Sequence, residues 1–156
     1  EEFIETDKVA VHHLEIEWQE KTNWIEVTCG VFGRHGHLHV FQPSQTIANT
    51  SVLSLEEKFM GGTGVNFTPP PSKYVSQKAL LAARNRLKKV AETLGIEGYA
   101  RIDFFMHRKT GELIVIEANT LPALTPSTVL FHQALSEKKP LFPGEFLEKL
   151  IEISGY

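Results

Sequence analysis

The chain has 156 residues, 42% hydrophobic, 22% charged and 10% aromatic, the balance of a globular domain with a buried core rather than of a disordered, collagenous or membrane-spanning chain. With 16 Lys and Arg against 19 Asp and Glu the net charge is −3, which leaves no global positive field to gather nucleic acid or an anionic membrane. The single cysteine, Cys29, has no internal disulfide partner, and no apolar run approaches the roughly 20 residues of a transmembrane helix; a reducing, cytoplasmic setting is expected.

The chain opens Glu1-Glu2-Phe3-Ile4, with neither an initiator Met nor the basic and apolar regions of a signal peptide. The expectation is a piece of a longer chain forming one domain or subdomain. Val9 to Trp18 alternates apolar and polar residues over Leu14, Ile16 and Trp18, as a strand or extended arm with one buried face does. Trp24 to Val31 is rich in β-branched and aromatic residues, and His37 to Phe41 repeats the pattern after Gly33-Arg34-His35-Gly36; together they read as a hairpin. Gly61 to Ser72, with its glycines and three prolines, reads as a long loop.

Val75, Ala79, Leu80, Ala83, Leu87, Val90, Ala91 and Leu94 then recur at three- and four-residue steps, which predicts an amphipathic helix over Lys73–Leu94 with Gly95 at its left-handed cap. Tyr99–Met106 and Leu113–Ala118, separated by H-R-K-T-G-E, predict a second hairpin with Gly111 at the turn. Ser127–Ser136, with Pro126 near its start, and Gly144–Ile153, preceded by the breaker Pro143, predict two short closing helices.

The chemistry concentrates on the second hairpin. A three-residue loop, Lys109-Thr110-Gly111, would set Arg108 opposite Glu112, Asp103 opposite Glu117 and Arg101 opposite Asn119. Alternation then projects Arg101, Asp103, Glu117 and Asn119 from one face. Two carboxylates and an amide oxygen gathered together call for a cation, and an all-oxygen set suits a hard ion such as Mg²⁺, which in turn implies a phosphate ligand; zinc is a poorer choice. The alternative is a hairpin with ordinary salt bridges. Against it stand Ile102, Phe104, Val115 and Ile116, which make the strands nearly continuously apolar, a setting where unpaired charge is expensive.

The stretches E-K-F-M-G-G-T-G-V-N-F-T-P-P-P, G-Y-A-R-I-D-F-F and I-E-A-N-T-L-P-A-L-T-P-S-T, in that order with a helix between the first two, resemble the carboxy-terminal part of D-alanine-D-alanine ligases, members of the ATP-grasp superfamily. The resemblance runs from about Trp24 to the end and also takes in Glu1 to Ile4. It implies an α+β fold, the ATP-grasp carboxy-terminal lobe, with a mostly antiparallel sheet flanked by helices. Residues 1–156 would be the carboxy-terminal portion of the ligase domain, without its amino-terminal and central ATP-binding parts.

Carried over residue by residue, the resemblance implies that Asp103, Glu117 and Asn119 hold two Mg²⁺ ions on the ATP phosphates, with Glu117 shared by both and Mn²⁺ as an alternative ion. Arg101 would face the charge that develops in the transition state. Glu26 would bind the ribose hydroxyls, Glu1, Phe3 and Ile4 would meet the adenine edge, and Ile116 would complete the nucleotide-binding set. Lys58 would stabilise phosphate from a mobile loop, and Phe59 would contact the acceptor. Thr128 and the Val129 amide would hold the second substrate's carboxylate.

Plainer readings stand beside these. Glu26 on a strand is otherwise solvent-facing, and Lys58 is otherwise a solvated partner of Glu56 or Glu57. His35, His37 and His39 alternate as metal ligands could, yet the turn setting favours surface histidines. Gly61-Gly62-Thr63-Gly64 lacks the lysine and helix of a P-loop and reads as a substrate lid. Two departures from the family pattern matter: Ala123 replaces a glycine whose amide helps form the oxyanion hole, and Phe59 replaces a tyrosine, as in the ligases that accept D-lactate and make an ester. The insertion between about Glu5 and Asn23 has no assigned role.

The expected activity is ATP-dependent ligation of D-alanine to a second D-amino acid through an acyl phosphate, yielding D-alanyl-D-alanine for peptidoglycan. The alternatives are another ATP-grasp carboxylate-amine ligase, a D-lactate ester-forming ligase, or a non-catalytic nucleotide-binding module. Expected partners are ATP, D-alanine and the rest of the same protein, with no nucleic acid or membrane; monomer and homodimer are both open. The isolated chain is expected to be inactive and to bind nucleotide weakly.

Overall fold

The structure, a computed structural model, describes residues 23–47 and 65–155. Strand β1 (Trp24–Gly33) turns back into the short β2 (His39–Val40), and β3 (Gln45–Ile47) pairs with β4 (Val65–Phe67). Helix α1 (Gln77–Thr93) leads into the hairpin of β5 (Gly98–His107) and β6 (Leu113–Asn119), and α2 (Val129–Leu135) and α3 (Pro143–Ser154) close the chain. The main sheet has four strands in the order β2-β1-β5-β6, antiparallel throughout, so the expected α+β arrangement holds.

Two-residue alternation divides the two faces of this sheet. Ile25, Val27, Cys29 and Val31 of β1 and Ala100, Ile102, Phe104 and Met106 of β5 all point into one core. Helix α1 closes that core with Ala79, Leu80, Ala83, Leu87 and Ala91. Burial of each large side chain among them stabilises the fold by about 1.5–3 kcal/mol. Cys29 is buried and donates from Sγ to the Phe41 carbonyl at 3.2 Å, and burial pushes its thiol pKa up. It is an inert part of the core.

On the opposite face the described residues form a second core at one end. There Phe41, Leu130, Phe131, Ala134 and Phe146 form a second cluster against Phe32 and Tyr99. Gly30 permits the approach of α2, since a Cβ on it would lie 2.1 Å from Leu130 Cδ1. Arg34 reaches across to the end of α3, donating from Nε to the Ile153 carbonyl at 2.7 Å, where a cation also suits the helix dipole.

Several expected boundaries shift for local reasons. The chain at Lys73–Ser76 turns instead of coiling, with Pro71 O accepting from Tyr74 N at 2.9 Å; Ser76 then caps α1 by accepting from Ala79 N at 3.1 Å. Leu94, expected on the buried stripe, is 56% exposed at the helix end. Gly95 has φ +66° and Ile96 N bonds to Ala91 O at 3.0 Å, the six-to-one closure of a Schellman cap. Pro143 begins α3 rather than preceding it, because an N1 proline loses no helical hydrogen bond. The expected loop at 61–72 contains β4, and β3 was not anticipated. The alternating segment Val9–Trp18 and the glycines Gly61–Gly64 lie outside the described residues.

The second hairpin closes through four residues, not three. His107 N bonds to Glu112 O at 2.9 Å and Gly111 N to His107 O at 2.9 Å, so Glu112 faces His107 and not Arg108. The pairs beyond the turn are Met106–Leu113, Phe105–Ile114 and Phe104–Val115; the next are Asp103–Glu117, Ile102–Ala118 and Arg101–Asn119. Ile116 is therefore the extra residue of a β-bulge, which restores the register that a shorter turn would have set.

His35 and His37 are exposed on the turn after β1, and among the described residues no His, Cys, Asp or Glu cluster resembles a metal site of such residues. His39 packs edge-on against Phe32 and Phe41, at centroid distances of 5.4 and 5.2 Å. Its Nε2 lies 3.7 Å from Glu137, which also pairs with Arg84 at 3.1 Å. Burial lowers the His39 pKa, against the pull of Glu137. No helix among the described residues is long and apolar enough to cross a membrane.

Gly111 and Gly95 share φ +66°, but a Cβ on Gly111 would sit 2.2 Å from the Ala79 carbonyl oxygen, whereas a Cβ on Gly95 meets nothing within 4 Å. Urea unfolding should show Gly111→Ala losing about 1–3 kcal/mol more than Gly95→Ala; equal losses would mean that the turn does not pack on α1 as described. Because the His39 pKa is lowered in the fold, the unfolded chain binds its proton first as pH falls below about 6.5, and stability is lost over that range. The melting temperature should therefore fall less between pH 7.5 and 5.5 in His39→Phe than in the parent, and parallel profiles would contradict the burial argument.

Candidate functional site

Beyond that second cluster, the same face presents three aligned positions on adjacent strands. Thr28 of β1 stands opposite Asp103 of β5, which stands opposite Glu117 of β6. On the next rung Gly30, Arg101 and Asn119 align in the same way. The expected four-residue grouping of Arg101, Asp103, Glu117 and Asn119 is thus brought together, though by the bulge as well as the turn. Had the turn-proximal register continued, Glu117 would oppose Ile102 and face the core.

Asp103 is the centre of the cluster. Arg101 grips its carboxylate with two bonds, Nε to Oδ1 at 3.1 Å and Nη2 to Oδ2 at 3.0 Å, the bidentate geometry favoured by a guanidinium. Arg101 Nη2 also lies 3.7 Å from Glu117 Oε1. Asp103 Oδ1 accepts a second bond from Thr28 Oγ1 at 2.5 Å. Asn119 Oδ1 accepts from Leu121 N at 3.1 Å, which orients the amide through its own backbone.

The setting is more open than the apolar strands imply. Asp103 and Arg101 side chains are 19% and 33% exposed and Glu117 is 62% exposed. Ile102 and Phe104 are buried, but Val115 and Ile116 are exposed, because β6 is the edge strand of the sheet. The cost of buried unpaired charge therefore does not apply here. What the cluster offers is a concentration of negative oxygen beside one arginine, on a face accessible to a ligand.

The donor set fits a hard divalent ion. A carboxylate has about four acceptor sites, and Asp103 uses three of them on Thr28 and Arg101. Asn119 Oδ1 accepts from Leu121 N and has capacity for a second bond, and Glu117 holds one long ion pair in solvent. Asp103, Glu117 and Asn119 can thus each present an oxygen to Mg²⁺, and none presents nitrogen or sulfur.

The other candidates fall in two groups. Glu26 is exposed and lies on the same strand face as Thr28, two residues along β1. Ile116 is the 47%-exposed bulge residue beside Glu117. Thr128 is the residue before α2 and Val129 its first; the Thr128 hydroxyl makes no capping bond. Glu1, Phe3, Ile4, Lys58 and Phe59 lie outside the described residues. Sequence reasoning missed Thr28 and Gln133. Alternation from Glu26 would have placed Thr28 on the site face, whereas Gln133 carries no local signal.

A family model described as D-ala D-ala ligase C-terminus matches residues 5–152. The D-alanine--D-alanine ligase of Carboxydothermus hydrogenoformans is 31% identical over 152 residues, 94% of this chain and 46% of the relative. That of Acetivibrio thermocellus is 28% identical over 138 residues, 87% of this chain and 35% of the relative. The chain thus spans less than half the length of these relatives. Among solved structures, a D-alanine--D-alanine ligase from Bacillus anthracis complexed with ATP superposes with TM-score 0.60 at 19% identity, covering 83% of this chain and 37% of that one. A D-Ala:D-Ser ligase from Enterococcus faecalis gives TM-score 0.61 at 23% identity, covering 85% and 37%; likeness at these identities concerns the fold. Matched along nearly its whole length and folded like these ligases, the chain belongs to the D-alanine-D-alanine ligase carboxy-terminal family.

Proposed function

We propose that this chain is the carboxy-terminal catalytic portion of an ATP-dependent ligase that joins D-alanine to a second D-amino acid, with D-alanyl-D-alanine as product. The observation that supports it best is the juxtaposition of Asp103, Glu117 and Asn119 with Arg101 on the open face of the sheet, in a chain of this family. In this reading Asp103, Glu117 and Asn119 would hold two Mg²⁺ ions. The chemistry that Mg²⁺ supplies when bound is neutralisation of phosphate charge and alignment of the transferred phosphoryl group.

The residues of the chain do the rest. Arg101 lies beside the ion-binding carboxylates, close enough to meet negative charge developing on phosphate and on the acyl carbon's oxygen. Glu26, on the same sheet face, binds the ribose hydroxyls, and Ile116 with Glu1, Phe3 and Ile4 completes the nucleotide contacts. Lys58 adds a cation to the phosphates. Thr128 and the Val129 amide hold the acceptor's carboxylate, placing its amine for attack on the acyl phosphate of the first D-alanine. The alternative acceptor is D-lactate, to which Phe59 beside Lys58 points because it lacks a phenol.

The test is ATP-dependent phosphate release by the protein that carries this chain, with Mg²⁺ and D-alanine, L-alanine or D-lactate added. D-alanine should stimulate release and yield a dipeptide, and stimulation by D-lactate only alongside D-alanine would assign the ester-forming acceptor. No stimulation in a folded, ATP-binding protein would contradict the reading. Asp103→Asn and Glu117→Gln should each lower turnover about 100-fold or more, with melting temperatures within about 3 °C of the parent, because Glu117 is exposed and the amide that replaces part-buried Asp103 keeps its shape and an oxygen that accepts from Thr28. Near-normal turnover in either variant would remove that residue from the ion site.

A further inference from the structure

Thr28 is fixed more firmly than an ordinary strand residue. Its backbone N–H donates to Ser44 O at 2.9 Å and its carbonyl accepts from Ser44 N at 2.8 Å. The same carbonyl accepts a second bond from Gln133 Nε2 at 3.0 Å. Gln133 is a fully buried polar side chain on α2, and it uses its whole amide: Oε1 accepts from Gly30 N at 2.7 Å, and Nε2 also donates to Ser44 Oγ at 2.9 Å. Ser44 Oγ in turn pairs with Thr68 Oγ1 at 2.5 Å. A buried amide bonded through both its oxygen and its nitrogen is a rigid clamp, since moving it would strand polar groups away from water.

The clamp leaves the Thr28 hydroxyl directed at one target. It donates its only proton to Asp103 Oδ1 at 2.5 Å, in the directly opposed pair Thr28–Asp103. The terminal torsion of an aspartate is broad and roughly two-fold, so its carboxylate plane is set by partners. Two partners hold it here, and they differ in kind. Arg101 neutralises the charge that it orients; Thr28 orients the carboxylate without neutralising it, which preserves its attraction for a cation.

We propose that Thr28 is a positioning residue for the divalent-ion site, its backbone held by the buried amide of Gln133 and its hydroxyl holding the Asp103 carboxylate in the plane that ligates the ion. The proposal rests on the ion-binding role given to Asp103 above. It assigns a function to a strand threonine whose side chain would otherwise count only as a β-branched filler. It also links α2, which begins beside the acceptor residues Thr128 and Val129, to the ion site through one buried side chain.

The experiment measures Mn²⁺ binding by the electron paramagnetic resonance of free Mn²⁺, on the nucleotide-free protein that carries this chain, for the parent and for Thr28→Val, Thr28→Ser and Thr28→Ala. Thr28→Val keeps the shape and loses the hydroxyl, and should weaken Mn²⁺ about tenfold. Thr28→Ser should stay within about twofold of the parent, and its contrast with Thr28→Ala, which differs from it only in the hydroxyl, decides the matter if the valine alters packing. The Mg²⁺ concentration for half-maximal phosphate release should rise in parallel while the melting temperature changes little. Equal Mn²⁺ affinity in Thr28→Ser and Thr28→Ala overturns the proposal, whether both match the parent or both are weakened. Asp103→Asn separates this from the functional reading. If that variant binds Mn²⁺ as the parent does, the ion site and the positioning role fall together. If it binds more weakly but no D-alanine-stimulated phosphate release is found, the ligase reading alone falls.

Discussion

The pairing of β5 with a neighbour on each side is the constraint from which the site follows. One face of β5 is committed to the core by Ala100, Ile102, Phe104 and Met106, so alternation obliges Arg101 and Asp103 to emerge on the other. The position of a carboxylate relative to α1 is then as fixed as the packing beneath it. A one-residue slip against β1 would exchange core and site at once, and the buried side chains of both strands forbid it. The chemistry is held in place by hydrophobic burial on the far side of the sheet.

Coverage of the second face decides where a ligand can reach. Helices α2 and α3 seal the end around Phe32 and Tyr99 with the aromatic cluster, and Gly30 lets α2 settle against β1. Among the described residues that sealing reaches the Gly30–Arg101 rung, next to Thr28 and Asp103. Beyond it lies the open edge at β6, where Glu117 stands in solvent. A polar cluster half-sheltered by helices and half open suits a ligand that brings its own charge, since the site is neither dry enough to reject it nor wet enough to screen it fully.

Much of this was legible in the sequence because it is periodic. The 3.6-residue stripe of α1 and the two-residue alternation of β5 carry their burial in residue type, and the grouping of Arg101, Asp103, Glu117 and Asn119 followed from alternation plus a turn. That grouping emerged through two unforeseen features that offset each other, a four-residue turn and a bulge at Ile116. Apolar runs such as Leu113–Ala118 conceal a bulge because every register looks equally hydrophobic. The exposure of Val115 and Ile116 was illegible for a related reason: an edge strand is defined by what does not pair with it. Strands β3 and β4 have three residues each and are distant in sequence, too short for periodicity. Gln133 reads locally as an ordinary helix residue, and only the tertiary approach of α2 to Gly30 and Thr28 makes it a clamp.

The proposed ion site gathers Asp103, Glu117 and Asn119 on one face of the sheet. The direct measurement is a crystal structure of the protein that carries this chain, grown with Mn²⁺ and a non-hydrolysable ATP analogue, with Mn²⁺ located by its anomalous scattering. Anomalous peaks are expected within about 2.3 Å of oxygens of Asp103, Glu117 and Asn119, with analogue phosphate oxygens on the same ions. Mn²⁺ bound elsewhere, or bound nucleotide with these three side chains more than one water-mediated contact away, would contradict it.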